Sequence, residues 1–171
     1  RARRERSWDA AAQRVAGWLR ETDGTAAFAT IGDPNIYSTF GYLAATVREL
    51  LPTVTVQTVP GITAMQALAA ATGVPLVEGG EPLTLLPLAR GVDHRLPRAL
   101  RDDATVVVYK AGRHLPAVAE AVRAAGRDAV YGEHLGLDAE RIGPLGHPAQ
   151  ATSYLATVIV PAVRTTRGGK L

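Results

Sequence analysis

The sequence runs to 171 residues, 47% of them hydrophobic, enough for one large domain or two small ones with a real core. A net charge of +3 from 19 Lys+Arg favours an acidic small molecule as partner, while aromatics at only 5% argue against single-stranded nucleic acid, and zero cysteines exclude disulfides, thiolate metal sites and a cysteine nucleophile. No apolar run approaches the roughly 18 to 20 residues of a membrane span, and the basic start Arg1–Arg6 has no apolar h-region behind it, so a cytoplasmic protein with no membrane partner is expected.

In chain order, Ser7 reads as an N-cap, and Trp8, Ala11, Ala12, Val15, Trp18 and Leu19 recur at helical spacing as far as Gly24. Residues 25–31 form a short apolar run, a buried strand by pattern, stopped by Gly32-Asp33-Pro34. A helix follows from near Ser38 with Phe40, Leu43, Val47 and Leu50 inward, and Pro52 blocks it before the β-branched run 53–59. Pro60-Gly61 ends that second strand. A third helix spans 63–72 with Gly73 as its left-handed cap, and the Gly/Pro-rich connection 74–82 marks a domain boundary, giving residues 1–80 and 81–171. Beyond it, 83–88 and 105–109 read as strands around a short helix at 96–101. Pro116 suits the first position of a helix ending at Gly126, 129–131 and 154–160 are further apolar segments, and 165–171 reads as a frayed tail.

Helices alternating with β-branched runs predict an α/β protein with a mainly parallel first sheet and a mixed second one, and in such folds ligands gather at the carboxyl ends of strands. Two of those ends carry small and hydroxyl residues: Gly32 to Thr39, and Pro60-Gly61-Ile62-Thr63-Ala64. Glycine lets a ligand approach the backbone, Asp33 accepts hydrogen bonds, Pro34 fixes the turn, and Ser38 offers a cap and a donor. Each turn alone is most simply an ordinary strand-to-helix junction; together, side by side in a parallel sheet, they form the walls of one cleft with room for a flat ligand. The four histidines, His94, His114, His134 and His147, have no metal-ligand spacing, so no metal is expected. Ser38 lies outside any nucleophile-elbow pattern, and Asp102-Asp103 reads as a helix-ending pair.

The run Thr30-Ile31-Gly32-Asp33-Pro34-Asn35-Ile36-Tyr37-Ser38-Thr39-Phe40 resembles the signature of the precorrin-2 C20-methyltransferases, within the wider tetrapyrrole methylase class. Val59 to Ala64, Glu78 to Leu83, and Val108-Tyr109-Lys110-Ala111-Gly112-Arg113 are similar to the same family in the same order, so the resemblance spans roughly Trp8 to Val160. It implies two α/β domains with S-adenosylmethionine folded between them, a homodimer, and methyl transfer to C20 of precorrin-2 or its cobalt-containing analogue, leaving S-adenosylhomocysteine. It implies cofactor contacts from Ile31, Gly32, Asp33, Ile36, Thr63, Ala64, Tyr109 and Leu135, and substrate contacts from Tyr37, Ser38, Thr39 and Arg113. Arg90, Arg95 and Arg98 join Arg113 as candidate partners of the substrate's carboxylates. Such methyl transfer needs no side-chain nucleophile, and the choice of proton acceptor stays open among Asp33, Tyr37, Glu81 and His114.

The family opens with a strand and a Gly-x-Gly-Pro-Gly-Asp loop that find no match before Trp8, so the first domain is expected to start in its middle, without that strand and loop. Two other readings are carried forward. One is a methylase of the same fold acting on another tetrapyrrole position, a protein residue or ribosomal RNA; the other is a non-catalytic binding module.

Overall fold

The computed structural model describes residues 2–89, 91–146 and 149–165, so Arg90, His147 and the expected tail beyond Thr165 fall outside the described residues. Contacts divide the chain into Arg1–Thr63 and Ala64–Leu171.

In the first unit, helix α1 (Ala2–Thr22) packs on α2 (Phe40–Leu50). Ala12 and Ala16 are wholly buried, with Ala44 and Val47 nearly so, because small residues on one stripe let the two backbones approach. Trp8 stacks flat on Tyr42 with ring centroids 5.1 Å apart, and the Arg20 guanidinium donates to the Leu50 carbonyl, a cation at the C-terminal end of α2. Two expected caps differ. Helix α1 runs through Ser7 to Ala2, since Ala, Arg and Glu ahead of the serine are strong helix formers and leave no end to cap. Helix α2 begins at Phe40, and Ser38 Oγ accepts the Phe40 N–H at 3.1 Å.

The expected mainly parallel first sheet is not formed: among the described residues of this unit there is no strand. Residues 25–31 and 53–59 have strand composition, but a strand exists only through a neighbour that takes up its N–H and C=O groups. The two runs instead border a common cavity of about 880 Å³, with Val15, Leu19, Leu43 and Val47 among its other lining residues.

The second unit holds a five-stranded mixed sheet in the order β1-β2-β5-β3-β4. Strand β1 (Leu83–Pro87) pairs parallel with β2 (Thr105–Tyr109), while β5 (Ala156–Val160) pairs antiparallel with β2 and with β3 (Val130–Glu133), and β3 pairs antiparallel with β4 (Arg141–Pro144). Alternation along the strands sorts the core into two faces. Val106, Val108, Val158 and Val160 pack with Leu96 of α4 (Arg95–Ala99) and with Leu115, Val118 and Val122 of α5 (Leu115–Ala124). Val107 and Ile159 point the other way, toward the face where α3 (Ala64–Thr72), carrying the fully buried Leu68, packs on β5. Gly73 and Gly126, at φ +68° and +64°, end α3 and α5 as the sequence predicts. Strand β4 was not expected, since Arg-Ile-Gly-Pro contains one β-branched residue and two breakers.

These three layers order the ends of the sheet. Because β5 runs against both β2 and β3, the carboxyl ends of β1, β2 and β3 lie at one edge together with the start of β5.

Candidate functional site

The two predicted turns of the first unit are brought into direct contact. Asp33 Oδ1 accepts the Asn35 N–H at 2.8 Å, closing its own turn, while Asp33 Oδ2 accepts the Gly61 N–H at 3.0 Å from the other turn. These two main-chain donors, Gly61 first, hold the Asp33 carboxyl below the ordinary aspartate range. A side chain at 61 would run into the Gly32 carbonyl oxygen, so glycine is required there by close approach; Gly32 itself sits at φ +77°. Gly61 therefore matters as much as Asp33, and its signal in the sequence was the Pro-Gly pair ending a β-branched run.

Around this contact the remaining predicted residues of the unit differ in setting. Ile31 is 77% exposed, Ile36 is half-buried, and Thr63 is buried with its Cα facing Gly32. Tyr37 holds φ +52°, a left-handed conformation that costs a non-glycine residue on the order of 1 to 3 kcal/mol and is typical of functional turns. Ser38 Oγ lies 3.4 Å from Thr30 Oγ1 besides taking the Phe40 N–H, and Thr39 is exposed at the N-terminal end of α2.

In the second unit, Tyr109 ends β2 and is buried, Lys110 follows at φ +60°, and Arg113 stands exposed on the 3-10 turn Gly112–His114. Lys110 Nζ lies 5.7 Å from the Tyr154 ring centre. His134, the residue after β3, is at φ +52°, so two strands that end at the same sheet edge both continue through left-handed residues. Leu135 is half-buried against Gly132, where a Cβ would approach its Cδ2 to 2.7 Å. Ala64 opens α3. Glu133 was not anticipated: it is 2% exposed, with Oε1 2.7 Å from Arg141 Nε and Oε2 without a hydrogen-bond partner among the described residues. Only its place at the end of an apolar run could have drawn attention to it.

Of the four candidate proton acceptors, two are committed elsewhere. Glu81 is held by Arg164 through two contacts of 2.9 and 2.7 Å and also accepts the Glu78 N–H, and the guanidinium pulls its carboxyl below the ordinary glutamate range. Asp33 is likewise depressed, and a lowered pKa makes a weak base. Among the arginines, Arg95 is already paired with Asp93 at 2.9 Å, Arg98 is exposed, and Arg90 lies outside the described residues.

With this geometry in place, comparison with known proteins is informative. The family profile described as Tetrapyrrole (Corrin/Porphyrin) Methylases matches residues 1–148. A precorrin-2 C(20)-methyltransferase from Sinorhizobium is 33% identical over 157 residues, covering 90% of this chain and 62% of that protein. The Methanocaldococcus jannaschii protein named probable cobalt-precorrin-2 C(20)-methyltransferase is 40% identical over 108 residues, covering 63% of this chain and 43% of that one. The crystal structure of a uroporphyrin-III C-methyltransferase from Thermus thermophilus complexed with S-adenosylhomocysteine has the same fold, with a TM-score of 0.54 at 19% identity over 75% of this chain and 62% of that one. The chain thus spans less than two thirds of the length of each of these proteins.

Proposed function

As the chain belongs to the tetrapyrrole (corrin/porphyrin) methylases, we propose that it carries out S-adenosylmethionine-dependent methyl transfer to C20 of precorrin-2, or of its cobalt-containing analogue, in cobalamin biosynthesis. The observation that carries the reading is the Asp33–Gly61 hydrogen bond, which joins two small-residue turns whose sequences resemble the precorrin-2 methylases. The residues suit the cofactor: Gly32 and Gly61 keep the backbone bare, Ile31 offers an exposed apolar surface, and each Asp33 oxygen retains a lone pair for a ribose hydroxyl. When bound, the cofactor supplies a methyl group already activated on a sulfonium.

Ile31, Gly32, Asp33, Ile36 and Thr63, with Ala64, Tyr109 and Leu135 from the second unit, are the proposed cofactor contacts. Tyr37, Ser38, Thr39 and Arg113 are the proposed substrate contacts. The exposed Arg113 pairs with a substrate carboxylate, and the strained Tyr37 presents its ring at the turn. The work of these residues is alignment and exclusion of water, which in favourable model systems is worth roughly 7 to 11 kcal/mol of barrier. The proton of the meso carbon goes to one of Asp33, Tyr37, Glu81 and His114, of which Asp33 and Glu81 are weakened as bases by the partners that hold them. The same proposal includes domains over 1–80 and 81–171, a homodimer and a cytoplasmic setting; among the described residues no helix is long and apolar enough to cross a membrane.

Calorimetric titration of the 171-residue chain with S-adenosylhomocysteine tests the binding half, with saturable heat expected and its absence in folded protein overturning it. Mass spectrometry of precorrin-2 after incubation with S-adenosylmethionine tests the chemistry. A single added methyl at C20 is expected, and a methyl at another position would transfer the assignment to another methylase of this fold.

A further inference from the structure

We infer that Glu140 is a positioning residue: by accepting the Gly136 N–H it holds the loop 134–140 in the shape that presents Leu135 to the cofactor, an inference that rests on the proposed methyl transfer. Residues 134–140 connect β3 to β4, and β3 ends at the sheet edge where the carboxyl ends of β1 and β2 also lie. Ligands of α/β folds gather at such edges. Residues 136–141 are exposed, and an exposed connection is by default loose, yet this one is fixed at its base and through its middle. At the base, Glu133 and Arg141 stand directly opposite each other in the β3–β4 register and form the 2.7 Å ion pair. The His134 N–H donates to the Leu155 carbonyl at 3.1 Å, prolonging the contact of β3 with the start of β5. Inside the loop the Leu137 N–H donates to the His134 carbonyl and the Glu140 N–H to the Leu137 carbonyl, both at 2.9 Å, and Glu140 Oε2 accepts the Gly136 N–H at 2.7 Å.

These bonds converge on Leu135. His134 at φ +52° and Gly136 at φ +77° flank it in left-handed conformations, so the chain bends sharply there and turns the Leu135 side chain back over β3. Gly132 is bare to receive it, since a Cβ at 132 would come within 2.7 Å of Leu135 Cδ2 and 2.9 Å of Leu68 Cδ1. A left-handed residue other than glycine persists only where its surroundings over-determine it, and the Glu140 carboxylate closes the turn on the far side of Leu135 from β3. Glu140 is itself exposed, where a single hydrogen bond adds little to global stability, so its effect is local order. A contact residue placed before the ligand arrives leaves no ordering cost for binding to offset.

The test compares the full 171-residue chain with Glu140→Ala, Glu140→Gln, Leu135→Ala and the double variant Glu140→Ala/Leu135→Ala, with S-adenosylhomocysteine as the probe. In Glu140→Ala, amide exchange should quicken at Gly136 and stay as in wild type in β2 and β5, which confines the change to the loop. Calorimetry should show the affinity of Glu140→Ala falling about tenfold, the size of one charge-assisted hydrogen bond, and recovering in Glu140→Gln, whose amide oxygen still accepts the Gly136 N–H. In methylation of precorrin-2 the KM for S-adenosylmethionine should rise with kcat unchanged, as for a contact made equally in the bound and transition states. The double variant should bind no more weakly than Leu135→Ala, because Glu140 acts through Leu135. Unchanged Gly136 exchange or unchanged affinity in Glu140→Ala, an equal loss in Glu140→Gln, additive losses in the double variant, or a fall in kcat at constant KM each overturns the inference and leaves the proposed function standing. A folded wild-type chain that binds no S-adenosylhomocysteine overturns the proposed function and the inference with it, so the wild type alone tells the two failures apart.

Discussion

The two units respond differently to nearly the same β-branched composition. In Ala64–Leu171, Thr105–Tyr109 and Ala156–Val160 are wholly buried strands, each paired on both edges. In Arg1–Thr63, the runs 25–31 and 53–59 leave Phe28, Ile31 and Val59 exposed and their main chain without ladder partners among the described residues. What separates them is the neighbour: β2 lies between β1 and β5, while the runs of the first unit adjoin a cavity. Strand propensity is thus a statement about fit to a sheet and not an intrinsic fold of the segment.

The largest expected effect follows from this contrast. Leu96→Ala removes a wholly buried side chain between α4 and the sheet and should cost about 2 to 5 kcal/mol, whereas Val59→Ala, at 82% exposure, should stay within about 0.5 kcal/mol. Urea unfolding of the two variants reads both. Equal losses would mean that the run at 53–59 is as firmly packed as the sheet, and the comparison would fail.

Gly61→Ala probes a place where the turns of the first unit are tightly built. The added methyl meets the Gly32 carbonyl oxygen, a backbone atom that cannot rotate away, so a loss of about 1 to 3 kcal/mol is expected, together with weaker binding of S-adenosylhomocysteine. A fully stable variant that binds normally would show that the turns need not touch. Gly73→Ala, where a Cβ meets nothing within 4 Å and only the positive φ is strained, is the matched control from the second unit.

These contrasts also mark what the sequence makes legible. Helix α3 with its Gly73 cap, β2 at Thr105–Tyr109, and α5 with Pro116 in its first turn and Gly126 at its end all follow from local signals that the tertiary structure keeps. Both turns of the candidate site were legible, because Gly-Asp-Pro and Pro-Gly are punctuation with a mechanism. The absent ladders of the first unit were not, since pairing depends on a partner elsewhere in space. The Asp33–Gly61 bond and the buried Glu133 were hidden for the same reason: each joins or buries residues that only the fold brings together.

Asp33 gives a pH test of that hidden bond. Its folded pKa lies below the ordinary value of 3.8, so its contribution is present above that value and disappears as pH falls through the lower folded one. Asp33→Asn should accordingly destabilise the chain near neutral pH, and the gap between variant and wild type in urea midpoint should close on acidification below about 3.8. A gap that persists at the acid end would show that the lost contact is not one of charge.

The smallest effect separates the two depressed carboxylates by what depresses them. Asp33 is held mainly by the N–H groups of Gly61 and Asn35, fixed dipoles at 3.0 and 2.8 Å, whereas Glu81 is held mainly by the Arg164 guanidinium, a mobile-ion-sensitive partner. At roughly 1 M salt the Debye length contracts to about 3 Å, which weakens the attraction between formal charges while leaving short contacts to backbone dipoles nearly intact. Carboxyl-carbon NMR titration at low and high salt should therefore show the Glu81 pKa rising toward its ordinary value with added salt, and the Asp33 pKa moving less. If Asp33 moves more, the first-unit turn is stabilised by a charge that the Gly61 contact does not explain. If neither moves, the Arg164–Glu81 pair, with its two short contacts and a glutamate side chain only 3% exposed, lies out of reach of the mobile ions, and the contrast between an ionic and a dipolar partner fails at these two sites.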